Sequence, residues 1–247
     1  AWAYDGAISS RARSLYRRAT VLDANLGPPL TSDQLPLAQE TLDLARNSGV
    51  SAIKTSMGGF NAPFEETLAE IAFYQRLIEA HPDYFRQIRN VGDIAAAKRA
   101  RQVGIIFSFE SATCLEDKVE RIDLFRNLGV RVMQLSYNTP SPFGAGVMSP
   151  ADASLTDLGR EAIARMNETG VALDLSHANP ATTNAAIEAS TKPVLITHAG
   201  CTAVHDNPRN KSDEVMRAVA EKGGVFGVFD LFFIAPSPRQ PNVDDYI

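Results

Sequence analysis

Gly170-Val-Ala-Leu-Asp-Leu-Ser-His177 is an apolar segment with the length of one buried strand, and it ends in a histidine. Val194-Leu-Ile-Thr-His198 has the same form, and a helical stretch lies between the two segments. The pattern predicts a βαβ unit with two parallel strands. In parallel α/β folds, side chains converge on a ligand at the carboxyl ends of the strands. We therefore expect His177 and His198 to lie on one rim of the sheet.

A third apolar run, Val103-Gly-Ile-Ile-Phe-Ser-Phe-Glu110, ends in a carboxylate. Taken singly, a histidine or a glutamate at a strand end is more often a structural residue than a ligand. Three metal-binding side chains at three strand ends are harder to explain by packing, because polar groups placed there face a cavity. Glu110, His177 and His198 are therefore candidate ligands of a zinc ion.

Strand-like and helix-like segments alternate along the whole chain. This alternation predicts an α/β fold, a (β/α)8 TIM-like barrel that forms a single domain over residues 1–247. We count about seven strands, whereas a closed barrel of this type needs about eight. After Phe229 the chain enters a proline-rich loop and ends at Ile247. We expect a barrel that lacks at least one strand, and we expect the natural protein to continue beyond this sequence.

The composition is that of an ordinary globular protein with a sizeable core, since 45% of the residues are hydrophobic and 21% are charged. The net charge of -5 and the lack of a long lysine or arginine run give no reason to expect a nucleic-acid partner. No apolar stretch approaches the ~18 residues needed to span a bilayer, so no membrane span is predicted.

Four other side chains of metal-binding type have ordinary interpretations. His81 precedes Pro82 at a predicted helix end and is expected to be solvated. His205 lies in a loop near the histidine rim, either beside the ligands or as an ordinary surface residue. Cys114 and Cys201 are far apart in the sequence, so a disulfide is open, but buried free thiols are the expectation.

Several blocks of the sequence, in a fixed order, carry a resemblance to a known family. They are Glu110 after its apolar strand, Gly129-Val-Arg-Val-Met-Gln-Leu-Ser-Tyr-Asn138, Leu155-Thr-Asp-Leu-Gly-Arg160, Met166-Asn-Glu-Thr-Gly170 leading to His177, and Thr197-His198-Ala199 followed by Asn207-Pro-Arg-Asn210. The Asp-Leu-Ser-His and Pro-Arg-Asn blocks are the most specific. With these blocks the sequence resembles the membrane (renal) dipeptidase family, peptidase family M19, over most of its length.

The resemblance implies a metal-dependent barrel of the amidohydrolase type with a two-zinc site that hydrolyses dipeptides. In such a site a bridging hydroxide attacks the amide carbonyl, which the metals polarise. By resemblance, Glu110 is the bridging and catalytic carboxylate, and His177 and His198 bind one of the metals. The resemblance also implies a periplasmic or extracellular location, with the cytoplasm left open. A homodimer is left open as well.

The resemblance assigns the dipeptide-like substrate to three further residues. Arg209 would hold the substrate carboxylate, a task that suits its planar fork of donors. Asn210 follows in the same Pro-Arg-Asn block and is also assigned to the substrate. Tyr137 stands where the family usually has a substrate-facing histidine. A tyrosine can donate a hydrogen bond to an oxyanion, but it carries no positive charge at neutral pH.

The sequence departs from the family at the other metal. The family has a His-x-Asp pair at the end of the first strand, where this chain has Asn25 and Gly27. An amide is a poor zinc ligand and glycine has no side chain, so this metal lacks its anchors. The family's last-strand aspartate, the general acid/base, would lie beyond residue 247. One complete ligand set remains, which implies one zinc ion and leaves a second open.

Three functions are compatible with these residues. The first is a metal-dependent hydrolase of dipeptides or similar small amino-acid amides, with a single-metal site. The second is a non-hydrolytic or inactive relative that binds or rearranges an amino-acid-derived ligand. The third is a barrel hydrolase of esters or cyclic amides, which would have less need of Arg209. Metal content distinguishes the first two, because the non-hydrolytic relative would have an empty or inert site.

Overall fold

The computed structural model describes residues 8–26 and 35–229, and a single parallel sheet organises this part of the chain. Its strands are β1 Leu22–Asp23, β2 Ala52–Met57, β3 Phe85–Gln87, β4 Val103–Phe109, β5 Val130–Gln134, β6 Ala172–Asp174, β7 Leu195–Ala199 and β8 Val225–Val228. Its α-helices are α1 Ser10–Arg18, α2 Gln39–Asn47, α3 Phe64–Ala80, α4 Val91–Ala100, α5 Arg121–Leu128, α6 Asp157–Thr169, α7 Pro180–Ala189 and α8 Asp213–Glu221.

Seven strands follow one another around the sheet in the order β1-β2-β4-β5-β6-β7-β8, and all the pairings are parallel. The eighth strand, β3, pairs with the first half of β4, where Phe85 lies opposite Val103. β5 takes over the same edge of β4 further along, from Phe107 onward. The α/β prediction is thus confirmed, and the architecture is a TIM-like barrel with seven strands in its curled wall.

The two ends of the wall face each other across a cleft of about 430 Å³. Asn25, just after β1, lines one side of this cleft, and Phe229, just after β8, lines the other. Within residues 8–26 and 35–229, β1 and β8 are not paired, so the wall is open there. That the barrel lacks at least one strand stays a prediction, because residues 27–34 and 230–247 lie outside the described part of the chain. That further residues complete the wall remains a prediction.

The two faces of the wall differ in polarity because successive side chains of a strand point to opposite faces. On β4, the outward residues Ile105, Phe107 and Phe109 are fully or almost fully buried. The two phenylalanine rings meet the helices: Phe107 lies 6.2 Å from Tyr74 of α3 between ring centroids, and Phe109 lies edge-on to Phe125 of α5 at 4.8 Å. The alternate residue Ser108 faces the barrel interior, where polar side chains collect near the carboxyl ends of the strands.

Local sequence signals begin and end the helices on either side of β6. Gly170 ends α6 in the left-handed conformation with φ at 76°, which glycine adopts without steric cost. Asn179 caps α7, because its side chain accepts a hydrogen bond from Thr182 N at 2.8 Å, and Pro180 occupies the first helical position. The short link between β6 and α7 therefore has a fixed path, and it carries His177.

A long loop between β5 and α6 packs over this link. Val147 N donates to the carbonyl oxygen of His177 at 3.0 Å, and Asn179 N donates to Ala145 O at 3.0 Å. The loop also lies against the first turn of α6, where an added Cβ at Gly159 would be only 1.9 Å from Phe143 O. Close backbone contact at Gly159 therefore holds the loop in place over the histidine segment.

Three further expectations can be compared with the structure. The expectation that His81 is solvated was wrong: the ring is buried, and its Nε2 accepts a hydrogen bond from Leu37 N at 2.9 Å. Cys114 is buried and Cys201 half-buried, and both are free thiols, as expected. None of the helices in the described part of the chain is long and apolar enough to cross a membrane.

Gly159→Ala should lower the free energy of unfolding by about 1–3 kcal/mol, because overpacking forces the backbone at Phe143 to move. The loss should appear although alanine is the better helix former by about 1 kcal/mol. Urea unfolding followed by circular dichroism measures the change. Gly92→Ala, in the first turn of α4, is the matched control, since its nearest neighbour is a side-chain oxygen at 3.0 Å. Equal stabilities of the two variants would contradict the packing argument.

Candidate metal centre

Three side chains of the sequence-predicted ligand set meet at the carboxyl rim of the barrel. Glu110 directly follows β4, His177 follows β6, and His198 lies within β7. All three are buried, and their ligand atoms lie within 4.8 Å of one another. Nε2 of His177 is 2.9 Å from Nε2 of His198, which is 3.6 Å from Oε1 of Glu110. The predicted convergence is present.

These separations suit one zinc ion. Ligand atoms about 2.0–2.1 Å from a tetrahedral zinc lie about 3.3 Å from one another. The two measured separations, 2.9 and 3.6 Å, fall on either side of that value. All three ligand atoms lie within 4.8 Å of one another, so one ion can lie between them once the side chains move closer around it. Two imidazoles and a carboxylate are also a donor set that zinc prefers, so the residues fit the metal.

Neighbouring groups fix which nitrogen of each imidazole carries the proton. His177 Nδ1 is 2.7 Å from Asn138 Oδ1, an oxygen that can only accept, so Nδ1 donates. His198 Nδ1 is 2.8 Å from the Thr197 hydroxyl, which itself donates to Asp174 Oδ2 at 2.6 Å. Both Nδ1 atoms are therefore protonated, and both Nε2 lone pairs point into the same space. Metal-binding histidines are typically oriented in this way.

Asp174 ties three strands of the rim together. Its buried carboxylate accepts hydrogen bonds from Gln134 Nε2 at 3.0 Å, from Ser176 N at 3.0 Å and from the Ser176 hydroxyl at 2.5 Å. It also accepts from the backbone and the hydroxyl of Thr197. The same carboxylate thus positions the link that carries His177 and the strand that carries His198. Sequence reasoning treated Asp174 as part of a family motif and gave it no separate role.

Electrostatics keep the two imidazoles neutral. Burial lowers the pKa of His177, and the nearby charge of Arg209 lowers it further. Burial also lowers the pKa of His198, although Asp174 opposes the shift. A neutral imidazole is the form that binds a metal. For Glu110 burial raises the pKa, whereas the charge of Lys54 opposes the rise.

Lys54 is a residue of the barrel interior that sequence reasoning missed. It lies on β2 and is only 3% exposed. Its Nζ is 3.4 Å from Asn25 Oδ1, 3.4 Å from the Ser108 hydroxyl and 4.0 Å from Asp174 Oδ2. The amide of Asn25 thus lies beside a lysine, and Gly27 is outside the described residues. The sequence feature that could have identified Lys54 is a lysine at an inward position of the predicted strand Val50-Ser-Ala-Ile-Lys-Thr.

Two of the three residues predicted to bind substrate reach the histidines. Tyr137 stacks on His177 with ring centroids 4.0 Å apart. Phe60 in turn stacks on Tyr137, with ring centroids 4.3 Å apart. Arg209 donates through Nη1 to Ser176 O, and its Nη2 is 3.3 Å from His177 Nε2. Both side chains are therefore in place to meet a ligand at this rim.

The third predicted residue, Asn210, is buried in the loop that follows β7. Its Nδ2 donates to the carbonyl oxygen of His205 at 2.7 Å, so it shapes the loop that carries Arg209. His205 itself is half-buried in this loop. That Asn210 contacts the substrate stays a prediction, as do the substrate contacts of Arg209 and Tyr137.

Comparison with protein families and with known proteins agrees with this architecture. The family model for membrane dipeptidases, peptidase family M19, matches residues 10–247. An uncharacterised dipeptidase of Schizosaccharomyces pombe is 28% identical over 84% of this chain and 51% of that protein. The dipeptidase verJ of Clonostachys rogersoniana is 26% identical over 73% of this chain and 48% of that protein. This chain spans about half the length of these curated relatives.

Two solved structures are similar over most of the chain. An amidohydrolase from Pseudomonas aeruginosa is 30% identical, with a TM-score of 0.78 over 87% of this chain and 64% of that chain. A metallopeptidase from Rhodobacter sphaeroides, liganded with a phosphinate mimic of the dipeptide L-Ala-D-Ala, is 21% identical, with a TM-score of 0.76. The match covers 87% of this chain and 75% of that chain, and it supports the fold alone.

Asp174→Asn should weaken zinc binding about 10–100-fold, because an amide cannot accept all the hydrogen bonds that orient the two histidine segments. Competition for zinc with a chelating dye measures the affinity, and circular dichroism verifies that the variant is folded. Asp157→Asn, at the exposed start of α6, is the control and should bind zinc as the unaltered protein does. Unchanged affinity in Asp174→Asn would show that the carboxylate does not position the ligands.

Proposed function

Because this chain belongs to the membrane dipeptidase family, peptidase family M19, we propose that it is a metal-dependent hydrolase of dipeptides or similar small amino-acid amides. We further propose that it works with a single zinc ion held by Glu110, His177 and His198. The observation that carries the proposal is the pair of Nε2 lone pairs, 2.9 Å apart, aimed at the same space beside a carboxylate. Two such lone pairs repel each other unless a cation lies between them.

The proposed chemistry divides between the metal and the chain. Zinc would supply a Lewis acid for the amide carbonyl and would activate water at neutral pH. Glu110 is buried beside the histidines, and the pKa raised by its burial suits a carboxylate that takes up a proton during hydrolysis. Asn138 and Thr197 keep the imidazoles in the metal-binding tautomer throughout.

The substrate would be oriented by the groups around the histidines. Arg209 offers a planar fork of donors, which matches a carboxylate in two hydrogen bonds. Tyr137, stacked on His177, offers a hydroxyl that can donate to an oxyanion, and burial raises its pKa, so the hydroxyl stays protonated. The direct test of the proposal is whether the zinc-loaded protein hydrolyses the dipeptide L-Ala-D-Ala.

A non-hydrolytic binding protein is the second candidate, and one observation favours it. Arg209 Nη2 lies 3.3 Å from His177 Nε2, the same atom that a metal would need. If this hydrogen bond persists in solution, the pocket would hold an amino-acid-derived ligand without a metal. Zinc content and hydrolysis together separate the two functions, because the binding protein would lack tightly held zinc or would hold it without activity.

His177→Ala and His198→Ala should each abolish tight zinc binding, because either change removes one of three ligands. Asn25→Ala should leave zinc binding nearly intact, since the amide is beside Lys54 and outside the ligand set. Elemental analysis after dialysis against zinc gives the ion count per chain for each variant. Two ions at full occupancy in the unaltered protein, or loss of zinc in Asn25→Ala, would contradict the single-ion site.

Arg209→Lys should weaken the binding of ligands with a free carboxylate by about 1.5–3 kcal/mol, because a point charge cannot match the fork. Amidating the carboxyl group of the ligand should cause a similar loss in the unaltered protein and no further loss in the variant. Calorimetry on the four combinations measures the coupling. Additive losses would mean that Arg209 does not bind the carboxylate and acts only through its contacts with Ser176 and His177.

A further inference from the structure

The barrel interior contains a cation behind the metal ligands. Lys54 is buried on β2, and its ammonium group points into the barrel toward the carboxylate of Asp174. Among the described residues, the carboxylates close to this position are Glu110 and Asp174. Placing a charged lysine here is costly, because removing an ammonium group from water costs several kcal/mol. Such a residue calls for an explanation beyond packing.

Hydrogen bonding does not supply that explanation. The contacts of Nζ with Asn25 Oδ1 and the Ser108 hydroxyl are 3.4 Å each, longer than the usual ammonium–oxygen distance of about 2.7–3.2 Å. Asp174 does not need the lysine for its hydrogen bonds either, because five other donors already bind its carboxylate. The ammonium group is therefore held loosely and contributes mainly its charge.

Three oxygen atoms surround the ammonium group: Asn25 Oδ1, Ser108 Oγ and Asp174 Oδ2, at 3.4, 3.4 and 4.0 Å. A carboxylate, an amide and a hydroxyl oxygen are the ligands that hard divalent cations such as Mn²⁺ take in proteins. The position of the ammonium group thus has the donors of a cation site, although a lysine fills it. We call this position the inner cation site.

We propose that Lys54 is a built-in cation that fills the inner cation site and so limits the barrel to one metal ion. The proposal rests on the single-ion function proposed above, because it presumes that the outer ligands Glu110, His177 and His198 bind zinc. The fixed positive charge balances the interior carboxylates without a second ion, and it repels any divalent cation that approaches the three oxygens.

Removing the lysine charge should open the inner cation site. Lys54→Met and Lys54→Gln keep the approximate length of the side chain, and Asp174 keeps its other donors in both. Each protein is first loaded with zinc, and the zinc ions per chain are counted by elemental analysis. The protein is then titrated with manganese chloride. The electron paramagnetic resonance signal of free Mn²⁺ gives the number of manganese ions bound per chain. We expect one zinc ion in every protein, and one additional tightly bound manganese ion only in the two Lys54 variants.

Lys211→Met is the matched control. Lys211 is also buried near the histidines, but its Nζ donates to Ala178 O at 2.6 Å. Burial lowers the pKa of Lys211 to about 7, so at pH 6 this lysine is mostly charged. At that pH the Lys211→Met variant loses positive charge from the interior without opening the inner cation site, and it should bind no additional manganese. Manganese uptake by Lys211→Met equal to that of the Lys54 variants would overturn the proposal, because a general charge effect would then explain the result.

The remaining outcomes separate this proposal from the proposed function. An unaltered protein without zinc would contradict the single-ion function. One zinc ion in all proteins, with no manganese uptake in the Lys54 variants, would overturn the role of Lys54 alone. If neither Lys54 variant folds, anomalous scattering from manganese-soaked crystals of the unaltered protein decides. A manganese peak among Asn25, Ser108 and Asp174 would overturn the proposal, and the lack of a peak there would support it.

Discussion

The buried carboxylate of Asp174 is the constraint on which the metal centre depends. It accepts hydrogen bonds from β5, from the link after β6 and from β7, so it sets the relative positions of three strands at the rim. Through Thr197 it also fixes the tautomer of His198. Its burial would raise its pKa, but the charge of Lys54, together with its hydrogen bonds from Ser176 and Thr197, outweighs this effect and keeps the pKa below the ordinary value. The folded structure therefore favours the ionised form of this carboxylate.

The barrel interior shows how one sequence can satisfy a fold and a site at the same time. Outward residues such as Phe107 and Phe109 of β4 pack against the helices and stabilise the wall. Alternate residues of the same strands face inward and are polar near the rim. In the single-ion proposal, the charge of Lys54 and the neutral imidazoles make the three strand ends the place, among the described residues, where a metal ion would find both donors and compensating charge.

Much of this arrangement could be predicted from the sequence. Glu110, His177 and His198 each follow an apolar run, and parallel strands bring such positions to one rim. Lys54 and Asp174 were missed because each lies inside or beside a run that was treated as uniformly apolar. The sequence does contain a pattern that indicates these inward positions, because polar residues recur two positions apart near the ends of the strands. The pairs are Lys54-x-Ser56, Ser108-x-Glu110, Gln134-x-Ser136 and Asp174-x-Ser176. The burial of His81 could not be predicted, because it depends on Leu37, 44 positions away in the sequence.

X-ray absorption at the zinc edge tests the central claim most directly, because it reports the ligands and any neighbouring metal in solution. The account predicts zinc with two imidazole nitrogens and oxygen ligands at about 2.0–2.2 Å, and no zinc–zinc scattering. Scattering from a second zinc at about 3.5–4 Å would show a two-metal site and would contradict the single-ion account. A zinc ion without imidazole scattering would contradict the assignment of His177 and His198.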